Sequence, residues 1–267
     1  MSTQTTITLL GTGSSGGVPR VGNQWGKCDP TNPKNRRRRC AALFQTSSSH
    51  GTTSALVDAG ADLREQLLSA NVTHLDGVLL THSHADHIFG LDDLRQLALV
   101  MQTPIPVHMD ELTAKIVMPP FGYIFHQAPT SSYPAFCSDH LIDHHRQTRI
   151  SGLGGDLAFQ PIVADHGDIH SLGFRVNDAA YLPDMKRISD DRGLEALQDL
   201  DVLIVDALRE KNHPAHMSLT ESLAFIDAIK PKRAVLTNMH SDLDYEALKE
   251  RLPVHIEPGY DGMQITT

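Results

Sequence analysis

Cysteine, aromatic residues and positive charge are all scarce in this chain. Cys28, Cys40 and Cys137 are its three cysteines in 267 residues. An odd, sparse set does not build a disulfide framework, which predicts a reducing, cytoplasmic compartment. No apolar run approaches the ~20 residues of a membrane-spanning helix, so no membrane partner is expected. Met1-Ser2-Thr3-Gln4-Thr5-Thr6 lacks the basic and apolar segments of a signal peptide. Lys and Arg number 23 against 32 Asp and Glu, a net charge of −9 with His neutral. Such a balance argues against an extended nucleic-acid surface, and bound divalent cations would offset part of it. The length suffices to bury a full core without staples.

Histidine, in contrast, is plentiful, and it clusters. His82-Ser83-His84-Ala85-Asp86-His87 follows the apolar run Gly77-Val78-Leu79-Leu80. The run reads as a buried strand, with Thr81 opening the loop that leaves it. Imidazole nitrogens with a carboxylate suit Zn²⁺, with Mn²⁺ or Fe²⁺ as alternatives. His82 and His84 point the same way from an extended segment. Asp86 and His87 fall where the chain turns, facing a second ion. Two adjacent metals are the arrangement that clamps attacking and leaving oxygens in hydrolysis.

Strand and helix signals alternate along both halves, and no linker or charge run divides them. They predict one α/β domain over residues 1–267. Short strands are expected at Ile7–Leu10, Ala41–Thr46, Ser54–Asp58, Pro104–Val107, Leu157–Pro161, Leu172–Val176, Ala179–Leu182, Val202–Val205 and Ala234–Thr237. Helices are expected at Asp62–Ala70, Leu91–Met101, Glu111–Val117, Arg192–Leu200, Leu219–Ile229 and Tyr245–Arg251. The glycine-rich Gly11–Gly17 loop is a candidate anion cradle or a plain turn. Residues 118–140 read as irregular and rich in aromatics, a candidate lid or homodimer contact.

Three further ligand types sit at the ends of strand-like segments, where α/β sheets place their sites. They are His166 in Ala164-Asp165-His166-Gly167, Asp184 after Leu182-Pro183, and His240 after Thr237-Asn238-Met239. One ion would take His82, His84 and His166. The other would take Asp86, His87 and His240, with Asp184 bridging both.

Thr81-His82-Ser83-His84-Ala85-Asp86-His87 with Gly90-Leu91 resembles the signature of the metallo-β-lactamase superfamily. Leu56-Val57-Asp58-Ala59-Gly60, Asp165-His166-Gly167, Leu182-Pro183-Asp184 and the region of His240 match its other motifs in order. The resemblance implies a four-layer αββα sandwich with two metals at one edge. It implies that Asp58 hydrogen-bonds a ligand imidazole and fixes its tautomer. In the relatives the last histidine directly follows the strand's Thr, where this chain has Asn238. His240 reaches the metal only through a local shift; otherwise Asn238 or water fills that position.

Within the superfamily the chain is most similar to the phosphodiesterase branch, which includes the phosphoribosyl cyclic phosphodiesterases and, more distantly, tRNase Z. Gly16-Gly17-Val18-Pro19, Arg36-Arg37-Arg38-Arg39-Cys40, His216-Met217-Ser218-Leu219-Thr220 and Gly259-Tyr260-Asp261-Gly262-Met263 carry that similarity. It implies a dinuclear Zn or Mn hydrolase acting on a small nucleotide or cyclic sugar phosphate. His216 would be the general acid, and Asp86 or Asp184 would orient the nucleophile while ligating metal. One arginine of Arg36–Arg39 is a candidate phosphate contact. A third, cysteine-built zinc site is not expected, since only Cys28 precedes Cys40. The alternatives are a tRNase Z-like RNA-processing endonuclease, a thioester or lactam hydrolase on the same metal core, and a metal-dependent binding protein without turnover.

Overall fold

A computed structural model describes residues 4–267. The first strands are β1 (Thr5–Gly11), β2 (Ala41–Ser48), β3 (Gly51–Val57), β4 (Gly77–Leu79), β5 (Ile105–Met109) and β6 (Cys137–Leu141). They lie side by side in chain order. β7 (Thr148–Gly152), β8 (Gly155–His166), β9 (Ile169–Val176), β10 (Ala179–Leu182), β11 (Arg187–Ile188), β12 (Val202–Asp206), β13 (Arg233–Thr237) and β14 (Ile256–Pro258) build a second sheet. Its order is β11-β8-β9-β10-β12-β13-β14, with β7 also on β8. The last strand, β15 (Gln264–Thr266), returns to pair with β1.

Helices cover the two outer faces. They are α1 (Leu63–Ser69), α2 (Ala85–Ile88), α3 (Leu94–Met101), α4 (Glu111–Phe125), α5 (Asp191–Glu195), α6 (Leu219–Ile229) and α7 (Tyr245–Arg251). Three apolar cores mark three layer interfaces. Leu63, Leu67, Leu94, Val117 and Ile124 pack onto one face of the first sheet. Ile7, Phe44, Val57, Phe159, Phe174 and Tyr181 fill the space between the sheets. Leu197, Leu219, Ile226 and Leu248 cover the outer face of the second. Burying both faces explains why β12 reads as an unbroken apolar run rather than an alternating one. The result is the expected αββα sandwich.

Several elements depart from the sequence reading: β6, β7, β11, β14, β15 and α2 were not expected, and two expected segments take another form. The expected irregular segment from Met118 is helical as far as Phe125, despite Pro119 and Pro120 inside α4. Burial of Val117, Ile124 and Phe125 against the first core outweighs the lost backbone donors. The expected helix Arg192–Leu200 is regular only over Asp191–Glu195 and continues as single turns through Gln198.

β3, β4 and β5 run parallel to one another, as do β10, β12, β13 and β14. Their C-terminal ends carry Asp58, His82, Asp110, Asp184, Asp206 and Asn238. The two sheets meet there through a backbone hydrogen bond from Leu172 N to Thr81 O at 2.8 Å.

Candidate metal centre

After β4 the chain stays extended through His84 (φ −65°, ψ 148°) and then enters α2. This break sets the motif's geometry. His82 and His84 share one side of an extended segment, while Asp86 and His87 occupy the first helical turn. Gly60 and Gly90 let α2 lie directly on the turn after β3. A Cβ at Gly60 would stand 1.8 Å from Asp86 O, and one at Gly90 2.0 Å from Gly60 O.

His82 Nε2, His84 Nδ1 and His166 Nε2 converge, with His84 Nδ1 3.0 Å from His82 Nε2 and 3.2 Å from His166 Nε2. Tetrahedral zinc with Zn–N near 2.05 Å holds its ligand atoms about 3.3 Å apart. The tautomers agree with ligation. His166 Nδ1 donates to the Ala215 carbonyl at 2.8 Å, which leaves Nε2 as a lone pair. His82 Nδ1 meets Thr81 Oγ1 at 2.9 Å, and Thr81 Oγ1 lies 3.0 Å from both Asp58 oxygens. With Thr81 donating to the carboxylate, His82 Nδ1 donates to Thr81 and its Nε2 also faces inward unprotonated.

The second group gathers around His87. Its Nδ1 donates to Asp58 Oδ2 at 2.7 Å, while its Nε2 lies 2.9 Å from Asp184 Oδ2 and 3.5 Å from Asp86 Oδ2. Asp58 is fully buried and held in the left-handed region (φ 69°), where its carboxylate also accepts from Thr81 N at 2.8 Å. Burial pulls the His87 imidazolium down, but Asp58 and Asp184 together raise it well above the ordinary histidine range. Burial likewise opposes ionisation of Asp184, yet His87, His216 and His82 hold it well below the usual carboxylate range.

A divalent cation fits this donor set. Asp184 Oδ2 is buried without a hydrogen-bond partner, its approach to His87 Nε2 lying off a donor's line. A buried carboxylate oxygen without a donor is costly unless a cation satisfies it. His82, His84 and His166 form one close donor group, and His82, His87 and Asp184 another. The structure therefore brings together six predicted residues: His82, His84, Asp86, His87, His166 and Asp184.

His240 is not brought in, and the expectation of a local shift toward the second ion fails on geometry. Asn238 takes φ 58°, which turns the chain at the end of β13. Met239 N then bonds Thr12 O and His240 N bonds Leu208 O, carrying His240 outward. Its ring contacts Arg20, and its Nδ1 lies 3.0 Å from Asp242 Oδ1. Asn238 holds the inner position instead, its amide 2.8 Å from Asp184 Oδ1 and 3.2 Å from Asp206 Oδ1.

His216 stands at the same edge, just before α6. The fold fixes it through the Ser218–Glu221 capping box and through Met217 N bonding Met185 O at 2.9 Å. Its Nδ1 lies 2.8 Å from Asp206 Oδ2 and 3.4 Å from Asp184 Oδ1. Burial lowers the affinity of this imidazole for a proton, but Asp206 and Asp184 outweigh it and the net shift is upward. Asp206 itself is raised to about 7 by burial, partly offset by His216. The sequence reading missed Asp206. It is an acidic residue ending the apolar strand β12, with no spacing pattern to single it out.

The Arg36–Arg39 run is largely committed to the fold. Arg37 is buried and donates to Leu243 O at 2.8 Å. Arg38 pairs with Asp261 at 3.1 Å and Arg39 with Asp62 at 2.9 Å. The Gly11–Gly17 loop is packed against this run, since a Cβ at Gly11 would stand 1.9 Å from Arg39 O. Gly11 and Gly13 serve close backbone approach, while Gly17 takes φ 64°.

The profile of the beta-lactamase superfamily domain matches residues 53–239, spanning β3, the histidine motif and the end of β13. This chain belongs to the beta-lactamase superfamily. It is 32% identical over 259 residues to a Porphyromonas gingivalis protein named octanoyltransferase, covering 96% of this chain and 50% of that one. The chain thus spans about half the length of that curated relative. Among solved structures it resembles a diphosphatase from the PhnP family, at 32% identity and TM-score 0.85, covering 99% of this chain and 97% of that one. It shares its fold with zinc-bound PqqB from Methylobacterium extorquens, at 16% identity and TM-score 0.72, covering 97% and 99%. The metallo-β-lactamase fold is therefore established for this protein. No helix among the described residues is long and apolar enough to cross a membrane.

Proposed function

We propose that this protein is a dinuclear Zn or Mn phosphodiesterase acting on a small phosphorylated substrate, such as a nucleotide or a cyclic sugar phosphate. The observation that carries this reading is the juxtaposition of two donor groups, His82–His84–His166 and His82–His87–Asp184, with a histidine–aspartate pair, His216–Asp206, whose His216 Nδ1 lies 3.4 Å from Asp184. His82, His84 and His166 would hold one ion. Asp86 and His87 would hold the other, with Asn238 as the neighbouring side chain and Asp184 between the two. When bound, such ions supply Lewis acidity toward water and toward a phosphate oxygen.

The chain's own residues supply the rest. Asp58 and Thr81 keep His87 and His82 in the tautomers that present Nε2. Asp86 and Asp184 orient the attacking water beside phosphorus. His216 is held through Nδ1 by Asp206, which favours its protonated form, and delivers a proton to the departing alkoxide. Water adds as hydroxyl to phosphorus and releases its other proton to solvent. The P–O bond to the leaving group breaks, and that group departs as the alcohol with the proton of His216, which solvent restores.

Similarity to the PhnP-family diphosphatase supports a phosphate substrate over a lactam or thioester. The name octanoyltransferase belongs to a protein twice as long, and acyl transfer is not carried over from it. The buried free thiols of Cys28, Cys40 and Cys137 support a reducing, cytoplasmic setting. Of the expected lid or dimer segment, the loop bearing exposed Tyr133 is the part that fits such a role.

The test is a screen of the metal-loaded protein on bis-p-nitrophenyl phosphate, cyclic nucleotides and ribose cyclic phosphates, beside nitrocefin, S-lactoylglutathione and precursor tRNA. Turnover of small phosphodiesters is expected. Activity confined to nitrocefin, the thioester or precursor tRNA would overturn the reading.

A further inference from the structure

A second convergence of metal-ligand side chains lies beside the centre just described. Asp110 follows β5 and caps α4, its Oδ1 accepting from Thr113 N at 2.8 Å. Its other oxygen, Oδ2, faces two imidazoles from separate elements. His170 Nε2 from β9 lies 2.5 Å away, and His144 Nε2 from the loop after β6 lies 3.3 Å away. The carboxylate is buried at 2% exposure, and both rings are half-buried. Among the described residues neither ring has another side-chain hydrogen bond, so both direct their polar edges at one oxygen.

A carboxylate oxygen needs one cation or a few donors, and either imidazole alone would satisfy Oδ2. The second imidazole makes the set chemically different. Two imidazole nitrogens and one carboxylate oxygen, all within 4.8 Å of one another, are a donor set for a divalent transition metal. A tetrahedral ion spaces its ligands about 3.3 Å apart, which the His144–Asp110 separation already matches. The His170–Asp110 contact needs to widen by roughly 1 Å, within the reach of a partly exposed side chain. The partial exposure of both rings leaves a coordination position open to water. The three donors come from both sheets, and His170 also lines a cavity of about 380 Å³ with His82, Ser83, Thr113 and Asp168.

We propose that Asp110, His144 and His170 form a further site for a divalent transition metal of the zinc class, one that ties the two sheets together along the wall of the active-site cleft. It is separate from the hydrolytic centre, because none of its donors belongs to a donor group that holds His82, His166 or Asp184.

The test is metal content after equilibrium dialysis of the full chain against Zn²⁺, read by plasma mass spectrometry. His144→Ala/His170→Ala is expected to bind one zinc fewer than the parent. His144→Gln keeps the Asp110–His170 contact, and therefore the fold, and is expected to lose the same equivalent. In an Asp184→Ala background the loss should persist, because it is additive with damage to the other centre. Unchanged zinc content in folded His144→Gln, in both backgrounds, would overturn the site. Failure of the hydrolase reading would register differently, as absent turnover with this zinc still bound.

Discussion

Asp58 and His87, from the turn after β3 and from α2, meet at 2.7 Å with both side chains buried. The contact links the strand that precedes the motif to the motif itself. It fixes which nitrogen of His87 is a lone pair, and that choice decides whether Nε2 can serve as a ligand. Asp58→Asn keeps the shape but offers an amide in place of the charge. Metal affinity should fall ~10–100-fold, as it does when outer partners of metal-bound histidines are changed. Competition with a chromogenic chelator measures this, and an unchanged affinity would show that Asp58 only shapes the turn.

His216 divides two chemical roles. As general acid, His216→Asn should lower kcat by ~10²–10⁴ on substrates with poor leaving groups while metal content stays at the parental value. The loss should shrink on p-nitrophenyl esters, whose leaving group departs without a proton. His216 also falls in one close donor group with His166 and Asp184. Loss of a metal equivalent in His216→Asn would therefore reassign it as a ligand.

Asn238 and His240 offer the sharpest comparison between neighbours. His240→Ala should leave metal content unchanged, because its ring sits with Arg20 and Asp242. Asn238→Ala should weaken binding of one ion, because it removes the polar group 2.8 Å from Asp184. Isothermal titration with Zn²⁺ on both variants separates these outcomes. The reverse pattern would restore His240 as the ligand.

Glu221 predicts a pH signature. Burial pushes its pKa up, but Lys186 at 2.7 Å and the amide and hydroxyl of Ser218 together outweigh it and bring it down to about 2. A depressed carboxylate stabilises the fold above its unfolded value and loses that contribution as pH falls through the folded one. The stabilisation should therefore be complete above roughly pH 5 and fade progressively toward pH 2. Glu221→Gln should melt lower than the parent at pH 7, with the gap narrowing as the solution is acidified. A gap independent of pH would show that shape, not charge, holds the start of α6.

The sequence by itself showed an α/β class, ten of the fifteen strands and six of the residues that the structure brings together at one edge. It could do so because each sits at the end of an apolar run, and in an α/β sandwich all such ends meet at one edge. That Asp58 holds a ligand imidazole was implied by the family resemblance, and the structure identifies that imidazole as His87. What the sequence left open depended on backbone direction. The left-handed turn at Asn238 exchanged the places of Asn238 and His240, and φ at one residue is invisible in a residue pattern. Asp206 was missed because a lone acidic residue carries no spacing signal. Its role depends on β12 lying beside β10 and β13, a parallel order set by long crossovers. The sequence offered one arginine of Arg36–Arg39 as a phosphate contact, yet packing turned Arg37 inward to Leu243. The separation between Asp110 and His170 along the chain likewise concealed their contact. Residue type and spacing fixed which groups would reach the edge, whereas tertiary packing decided which of them face each other there.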